Sequence, residues 1–188
     1  MPIRIAIVED DEEIRKLTAG ILNFYDDLEC VGSFGSAEQF LQSLPGLQPD
    51  VVLMDIGLPG MSGIDCVERC KALAPDSGTE ECKAEFIMFT NHTDSREVFD
   101  ALKAGATGYV LKNGTPEQLA RAIRDVMDGG SPMSRQISRM VTAYFRNGGG
   151  PEPPEPAMQE TPTPPDKPSP LAAAQSIEQL TEQEKIVL

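Results

Sequence analysis

The sequence predicts an α/β fold, a doubly wound parallel sheet built from five βα units across residues 1–130. Three observations carry this. Five short apolar runs alternate with segments whose apolar residues recur every three or four positions. The first and third runs, Ile3–Val8 and Val51–Met54, are almost unbroken, as strands buried on both faces are. Four of the runs end in polar residues, and in open α/β sheets ligands gather at the carboxyl ends of the strands.

The elements follow in order. Ile3–Val8 is the first strand, and Ile14, Leu17, Ile21 and Leu22 then recur at helical spacing. Leu28–Phe34 is the second strand, and Ala37–Leu44 a short helix that ends near Pro45-Gly46. Val51–Met54 precedes a helix over Ile64–Leu73, stopped near Pro75. The polar stretch from Ala74 to Glu85 is long for a connection between helix and strand, and reads as a surface insertion. Phe86–Phe89 is the fourth strand, followed by a helix over Glu97–Ala104 that Gly105 closes. Tyr109–Leu111 is the fifth. Thr115-Pro116-Glu117 opens a helix with proline in its first turn, whose face is Leu119, Ala122, Ile123, Val126 and Met127.

Beyond Gly129-Gly130, residues 131–146 form an extra amphipathic helix with Ile137, Met140, Val141 and Tyr144 on one face. Residues 147–171 are a Pro/Gly-rich linker; nine of the 24 residues from Asn147 to Pro170 are proline, which predicts an extended, flexible tail. Residues 172–188 turn helix-compatible again, and Leu180-Thr181 with Glu184 carries a capping box.

Composition excludes several function classes. The 188 residues carry a net charge of -14, and 147–188 hold seven acids against two bases, so neither part resembles a basic nucleic-acid surface. No apolar run approaches the ~20 residues of a membrane helix, and the start of the chain lacks a signal-peptide layout, so a cytoplasmic protein without a membrane partner is expected. The four cysteines, Cys30, Cys66, Cys70 and Cys82, include no Cys-x-x-Cys and accompany a single histidine, His92; reduced structural thiols are expected rather than a zinc site.

The polar strand ends supply the chemistry. Asp55 closes the third strand and opens onto Ile56-Gly57-Leu58-Pro59-Gly60, a costly place for a carboxylate unless something binds or reacts with it. Glu9-Asp10-Asp11 end the first strand, Thr90 the fourth and Lys112 the fifth. Acids, a hydroxyl and an ammonium at neighbouring strand ends suit phosphoryl chemistry on Asp55. Glu12 and Glu13 fit a solvated helix start, where negative charge suits the helix dipole.

The ordered set formed by Val8-Glu9-Asp10 with Arg15, Leu53-Met54-Asp55 through Gly63, Phe89-Thr90, and Lys103 through Lys112 resembles the receiver domain of two-component response regulators, from Ile3 to about Met127. The resemblance implies a flavodoxin-like (βα)5 fold of strand order 2-1-3-4-5. It implies that Asp55 accepts a phosphoryl group from a sensor histidine kinase with Mg2+ as cofactor. Asp10 and Asp55 are then direct metal ligands, Glu9 a ligand through water and Gly57 one through its backbone carbonyl. Asp11 competes with Glu9-Asp10 for that role; Arg15 and the Ile14/Leu17 face favour the earlier pair. Lys112 pairs with Asp55 or the phosphoryl group, Thr90 hydrogen-bonds the product, and Tyr109 is a switch that turns inward with it. Gly57 and His92 occupy positions that tune phosphoryl lifetime in the family. Asn113 follows Lys112 where many receivers carry a cis proline, which leaves that peptide open.

Leu180–Leu188 resembles the opening of a LuxR/NarL-type helix-turn-helix domain, which implies a transcription regulator cut short at its output domain. DNA is then reached through that domain and not through this fragment, and phosphorylation favours a homodimer. A stand-alone receiver acting through protein contacts is the alternative. Aspartyl-phosphate phosphatases carry a second acid two residues after their nucleophile; Gly57 stands there, so the chain is expected to catalyse only its own phosphoryl transfer and dephosphorylation. Gly57, Gly60 and Gly63 also lack the Gly-Lys-Ser/Thr ending of a nucleotide-binding loop.

Overall fold

The computed structural model describes residues 1–72 and 82–146. Within them, β1 (Ile3–Val8), β2 (Leu28–Phe34), β3 (Val51–Met54), β4 (Glu85–Thr90) and β5 (Gly108–Leu111) form one parallel sheet in the order β2-β1-β3-β4-β5. The helices α1 (Glu12–Asn23), α2 (Ala37–Leu47), α3 (Gly63–Lys71), α4 (Ser95–Lys103) and α5 (Pro116–Met127) alternate with the strands, and α6 (Arg135–Arg146) follows. This is the flavodoxin-like (βα)5 arrangement with an extra C-terminal helix.

The sheet has a core on each face. Ala6, Val8, Val52, Met54, Phe86 and Met88 point one way, toward α2, α3, α4 and α6. Ile5, Ile7, Val51, Leu53 and Ile87 point the other, toward α1 and α5. Alternate side chains leave a strand on opposite faces, so both rows must be apolar when helices cover both. All four residues of β3 are buried, and β3 carries Asp55 at its end.

Several boundaries differ from the sequence reading. The helix α2 runs on to Leu47 with Pro45 inside it. Proline removes one N–H and crowds the carbonyl four residues back, but here it falls in the last turn, which closes when the Gln48 N–H donates to the Leu44 carbonyl. The strand β4 gains Glu85, which pairs with Val51 of β3, and Thr90, which pairs with Leu111 of β5. The helix α4 begins at Ser95, where the Asp94 carboxylate accepts the Arg96 N–H. Leu17 does not face the core; α1 buries Thr18 and Leu22, and Leu17 is 66% exposed. The helix α3 runs from Gly63 to Lys71 with Ala72 as its C-cap, rather than from Ile64 to Leu73. Most of the insertion after it, the linker and the capping box near Thr181 lie outside the described residues.

The four thiols are free, with Cys66 and Cys70 buried. The neighbouring Cys66 thiol and burial push Cys70 up to about 12 despite an opposing contact from Cys82, which suits inert packing rather than metal ligation.

After α5 the chain turns back at Gly129, whose φ of 82° suits glycine. Residues 131–134 then run beside β5. Tyr109 N–H donates to the Pro132 carbonyl at 2.8 Å and Ser134 N–H to the Tyr109 carbonyl at 3.0 Å. The Ser134 hydroxyl accepts the Leu111 N–H at 2.9 Å. A Cβ at Gly108 would stand 2.9 Å from the Pro132 ring, so glycine admits this close approach. From there α6 inserts Ile137, fully buried, against the core, and Tyr144 stacks on Phe99 of α4 with ring centroids 4.1 Å apart.

Candidate functional site

Three strand ends converge at the carboxyl edge of the sheet. Asp55 is buried, with its N–H donating to the Val8 carbonyl at 2.9 Å and its Oδ1 accepting the Ile56 N–H at 2.8 Å. The backbone crossing is tight: a Cβ at Gly63 would stand 1.9 Å from the Asp55 carbonyl oxygen, so only glycine lets α3 start against this residue. From β5, the Lys112 ammonium donates to Asp55 Oδ2 at 2.9 Å and lies 2.5 Å from Glu9 Oε2. Glu9 is 3% exposed, while Asp10 is open to solvent.

Glu9, Asp10 and Asp55 each offer a carboxylate oxygen within 4.8 Å of the others. Hard oxygen donors at that spacing fit a hard divalent cation such as Mg2+. Asp11 is committed elsewhere: its Oδ1 caps α1 by accepting the Glu13 N–H at 2.8 Å and the Ile14 N–H at 3.1 Å. Asp11 is thus engaged at the helix start, where a carboxylate satisfies two orphan donors.

The electrostatics follow from two buried carboxylates, Glu9 and Asp55, sharing one ammonium. Burial pushes the Glu9 carboxyl above its ordinary value, the Asp55 charge adds to this, and Lys112 offsets part of it. Burial works to lower Lys112, but its hydrogen bonds to Glu9 and Asp55 outweigh that and hold it above its ordinary value.

Thr90 is fully buried at the end of β4, and its hydroxyl accepts the His92 N–H at 3.3 Å. Tyr109 is fully buried on β5 and donates its hydroxyl to the His92 carbonyl at 2.9 Å. The ring of His92 lies over Gly57, where a Cβ would stand 3.2 Å from its Nε2, and its Nδ1 meets Glu97 at 2.9 Å. All peptide bonds of the described residues are trans, Lys112–Asn113 included. A cleft of about 800 Å³ between α2, α3 and the start of β4 lies apart from this chemistry and contains none of these residues.

The structure thus brings Glu9, Asp10, Asp55 and Lys112 into one cluster, and links Thr90 and Tyr109 to each other through His92. Sequence reasoning missed the need for glycine at 63 and the part played by Ser134. Arg15 entered it only as a marker of register, yet its guanidinium donates to the carbonyls of both Glu9 and Asp10.

Comparison with known proteins agrees with this geometry. The family described as response regulator receiver domain matches residues 5–124. The transcriptional activator DevR/DosR of Mycobacterium tuberculosis is 31% identical over 144 residues, covering 77% of this chain and 63% of its own length. The transcriptional regulatory protein DesR of Bacillus subtilis is 37% identical over 127 residues, covering 68% and 59% respectively. The chain thus spans less than two thirds of the length of these relatives. A two-component response regulator of the LuxR family from Aurantimonas superposes with a TM-score of 0.70 at 26% identity, covering 78% of this chain and 99% of that one.

Proposed function

The chain belongs to the response regulator receiver domain family and is closely related to LuxR/NarL-type regulators; from that premise we propose that Asp55 is the phosphoacceptor, taking its phosphoryl group from the phosphohistidine of a sensor kinase. Members of the family act on their own phosphoryl group rather than as turnover enzymes. The observation that carries the reading is the convergence of Glu9, Asp10, Asp55 and Lys112 from the ends of β1, β3 and β5.

In this reading an Asp55 oxygen attacks phosphorus while the bond to the histidine nitrogen breaks, and the imidazole leaves. Asp10 and Asp55 would hold Mg2+ directly, Glu9 through water and Gly57 through its carbonyl, and the ion would supply positive charge for the phosphoryl oxygens. Lys112 leaves Asp55 for a phosphoryl oxygen, and the Thr90 hydroxyl turns to another. That turn removes the acceptor of the His92 N–H, and the loop that carries the Tyr109 partner shifts with it. A two-state element formed by Thr90, Tyr109 and the surface from Glu97 to Leu119 then reports phosphorylation to α6 and the tail.

The output is read from the relatives. Residues 1–130 form the receiver, 131–146 the segment beside β5 and the added helix α6, and 147–171 a linker to a LuxR-type helix-turn-helix that begins within 172–188. Phosphorylation favours a homodimer and brings that domain to DNA for transcription regulation. The helices α1 and α5 offer a surface for the dimer, because Leu17, Phe24 and Met127 are exposed there at 66%, 83% and 43%. No helix of the described residues is long and apolar enough to cross a membrane, and a cytoplasmic site of action fits this signalling role.

The test is labelling of the purified chain by acetyl phosphate, followed by intact mass. One phosphoryl group should appear only with Mg2+ present, and none in Asp55→Asn. Label that persists in Asp55→Asn overturns the assignment.

A further inference from the structure

The strand end that carries Glu9 and Asp10 is held from outside by one side chain. Arg15, in the first turns of α1, sends its Nη1 to the Glu9 carbonyl at 2.6 Å and to the Asp10 carbonyl at 3.2 Å. Its guanidinium lies over the backbone of Gly35, where an added Cβ would meet Nη1 at 3.6 Å. The other ties of this loop are few. Glu9 N–H donates to the Phe34 carbonyl at 2.9 Å, and Asp11 is taken up in capping α1.

We infer that Arg15 is a positioning residue for the divalent-cation site: by clamping two successive carbonyls it fixes the direction in which the Glu9 and Asp10 side chains leave the backbone. This rests on the reading of Glu9 and Asp10 as cation ligands.

Glu9, Asp10 and Asp55 already crowd three carboxylates together, and Lys112 is the ammonium placed between two of them. The Glu9 and Asp10 carbonyls would add two more negative dipole ends to that region, and the loop would relieve the repulsion by rotating. The guanidinium satisfies both carbonyls at once through the two N–H bonds of Nη1, whose directions its plane fixes, and it keeps its charge at any working pH. Groups that orient ligands in this way matter to metal affinity almost as much as the ligands do.

A bare charge effect predicts the opposite sign from a positioning effect. If Arg15 acted only through its field, removing it beside three carboxylates would tighten Mg2+. If it aims the carboxylates, removing it weakens Mg2+ even though a repelling charge is gone.

The experiment is calorimetric titration of Mg2+ into the purified 188-residue chain and its Arg15→Gln and Arg15→Lys variants, with thermal melts of each. Both variants should bind Mg2+ about tenfold more weakly, the low end of what such supporting residues contribute. The Mg2+ concentration for half-maximal acetyl phosphate labelling should rise in step, while labelling at saturating Mg2+ is retained. Should Arg15→Gln fail to fold, Arg15→Lys decides alone, since it keeps the charge and loses the planar group that fixes those two N–H directions. Unchanged affinity in Arg15→Lys, or tighter binding in Arg15→Gln, overturns the inference. No saturable Mg2+ uptake by the wild-type chain overturns the ligand reading itself, and the inference falls with it.

Discussion

The Tyr109 hydroxyl donates a 2.9 Å hydrogen bond to the backbone carbonyl of His92, two residues beyond Thr90. One buried aromatic on β5 thereby holds the loop that follows β4, and the same residue holds the segment before α6 through its own N–H and carbonyl. Its burial pushes the phenol above its ordinary value, so the hydroxyl remains a donor throughout the physiological range. Tyr109→Phe should therefore lower stability by about 1 kcal/mol, the net worth of one hydrogen bond. Acetyl phosphate labelling of Asp55 should be unchanged, since the ring touches none of the reacting groups. Hydrogen exchange before and after phosphorylation is the informative readout. The difference at α4 and α6 should shrink in the variant, and a full wild-type difference would exclude Tyr109 from the coupling.

Glu9 gives a pH prediction with a definite sign. Its folded-state value is raised, chiefly by burial. A raised group contributes stability that is present below its unfolded value and lost as pH rises through the folded one. In the metal-free protein the ionised Glu9 is thus a net burden at neutral pH. Glu9→Gln should raise the melting temperature of the metal-free chain at pH 7. The gain should vanish as pH falls toward the ordinary glutamate value of 4.5. The same variant should lose Mg2+ affinity. Melts from pH 4 to pH 8 with and without Mg2+ check both statements; equal gains at both ends of the range would contradict the sign.

Much of this was legible in the sequence because the signals are local. The β1 and β3 bounds follow from near-continuous apolar runs, which burial on both faces requires. Asp55, Thr90 and Lys112 stood out because each polar residue ends such a run. What escaped depends on distant backbone. Nothing near Gly63 in sequence announces that the Asp55 carbonyl lies 1.9 Å from where a Cβ would stand. The exposure of Leu17 was hidden for a related reason: on α1 the stripe through Ile14, Leu17, Ile21 and Leu22 is wider than the face the sheet covers, and only packing shows which edge is left out.

Ser134 shows the same limit and supplies a further prediction. Serine just before a helix reads as its N-cap, yet its hydroxyl accepts the Leu111 N–H on β5 instead. Leu111 is 4% exposed, so Ser134→Ala leaves a buried donor without its partner. The loss should be about 1–3 kcal/mol. Because α6 is anchored independently by Ile137 and by Tyr144 on Phe99, it should loosen rather than melt. Faster exchange confined to residues 131–137 and the Leu111 amide is the expected pattern. Uniform destabilisation across the sheet would mean that the bond is not a local latch.

The exposed face of α1 and α5 yields the last prediction. Leu17 and Phe24 lie seven residues apart on α1, so two turns of helix place them on one side, and Met127 extends the patch from α5. At its rim Arg124 grips Asp27 through two hydrogen bonds of 2.6 and 2.8 Å, which joins α5 to the loop after α1 and keeps the two helices in fixed relation. Phe24 is 83% exposed, so its removal should leave the folded monomer almost unaffected, within about 0.5 kcal/mol. In a dimer, a central aromatic is the type of residue whose truncation costs about 2 kcal/mol or more, roughly thirtyfold in association. Phe24→Glu in the phosphorylated chain should therefore shift sedimentation toward monomer at concentrations where the wild type dimerises, with the melting temperature of the monomer retained. Dimerisation that survives both Phe24→Glu and Leu17→Glu would move the interface elsewhere. The surface around α4 and β5 would be the next place to look, although α6 already occupies part of it through Ile137 and Tyr144.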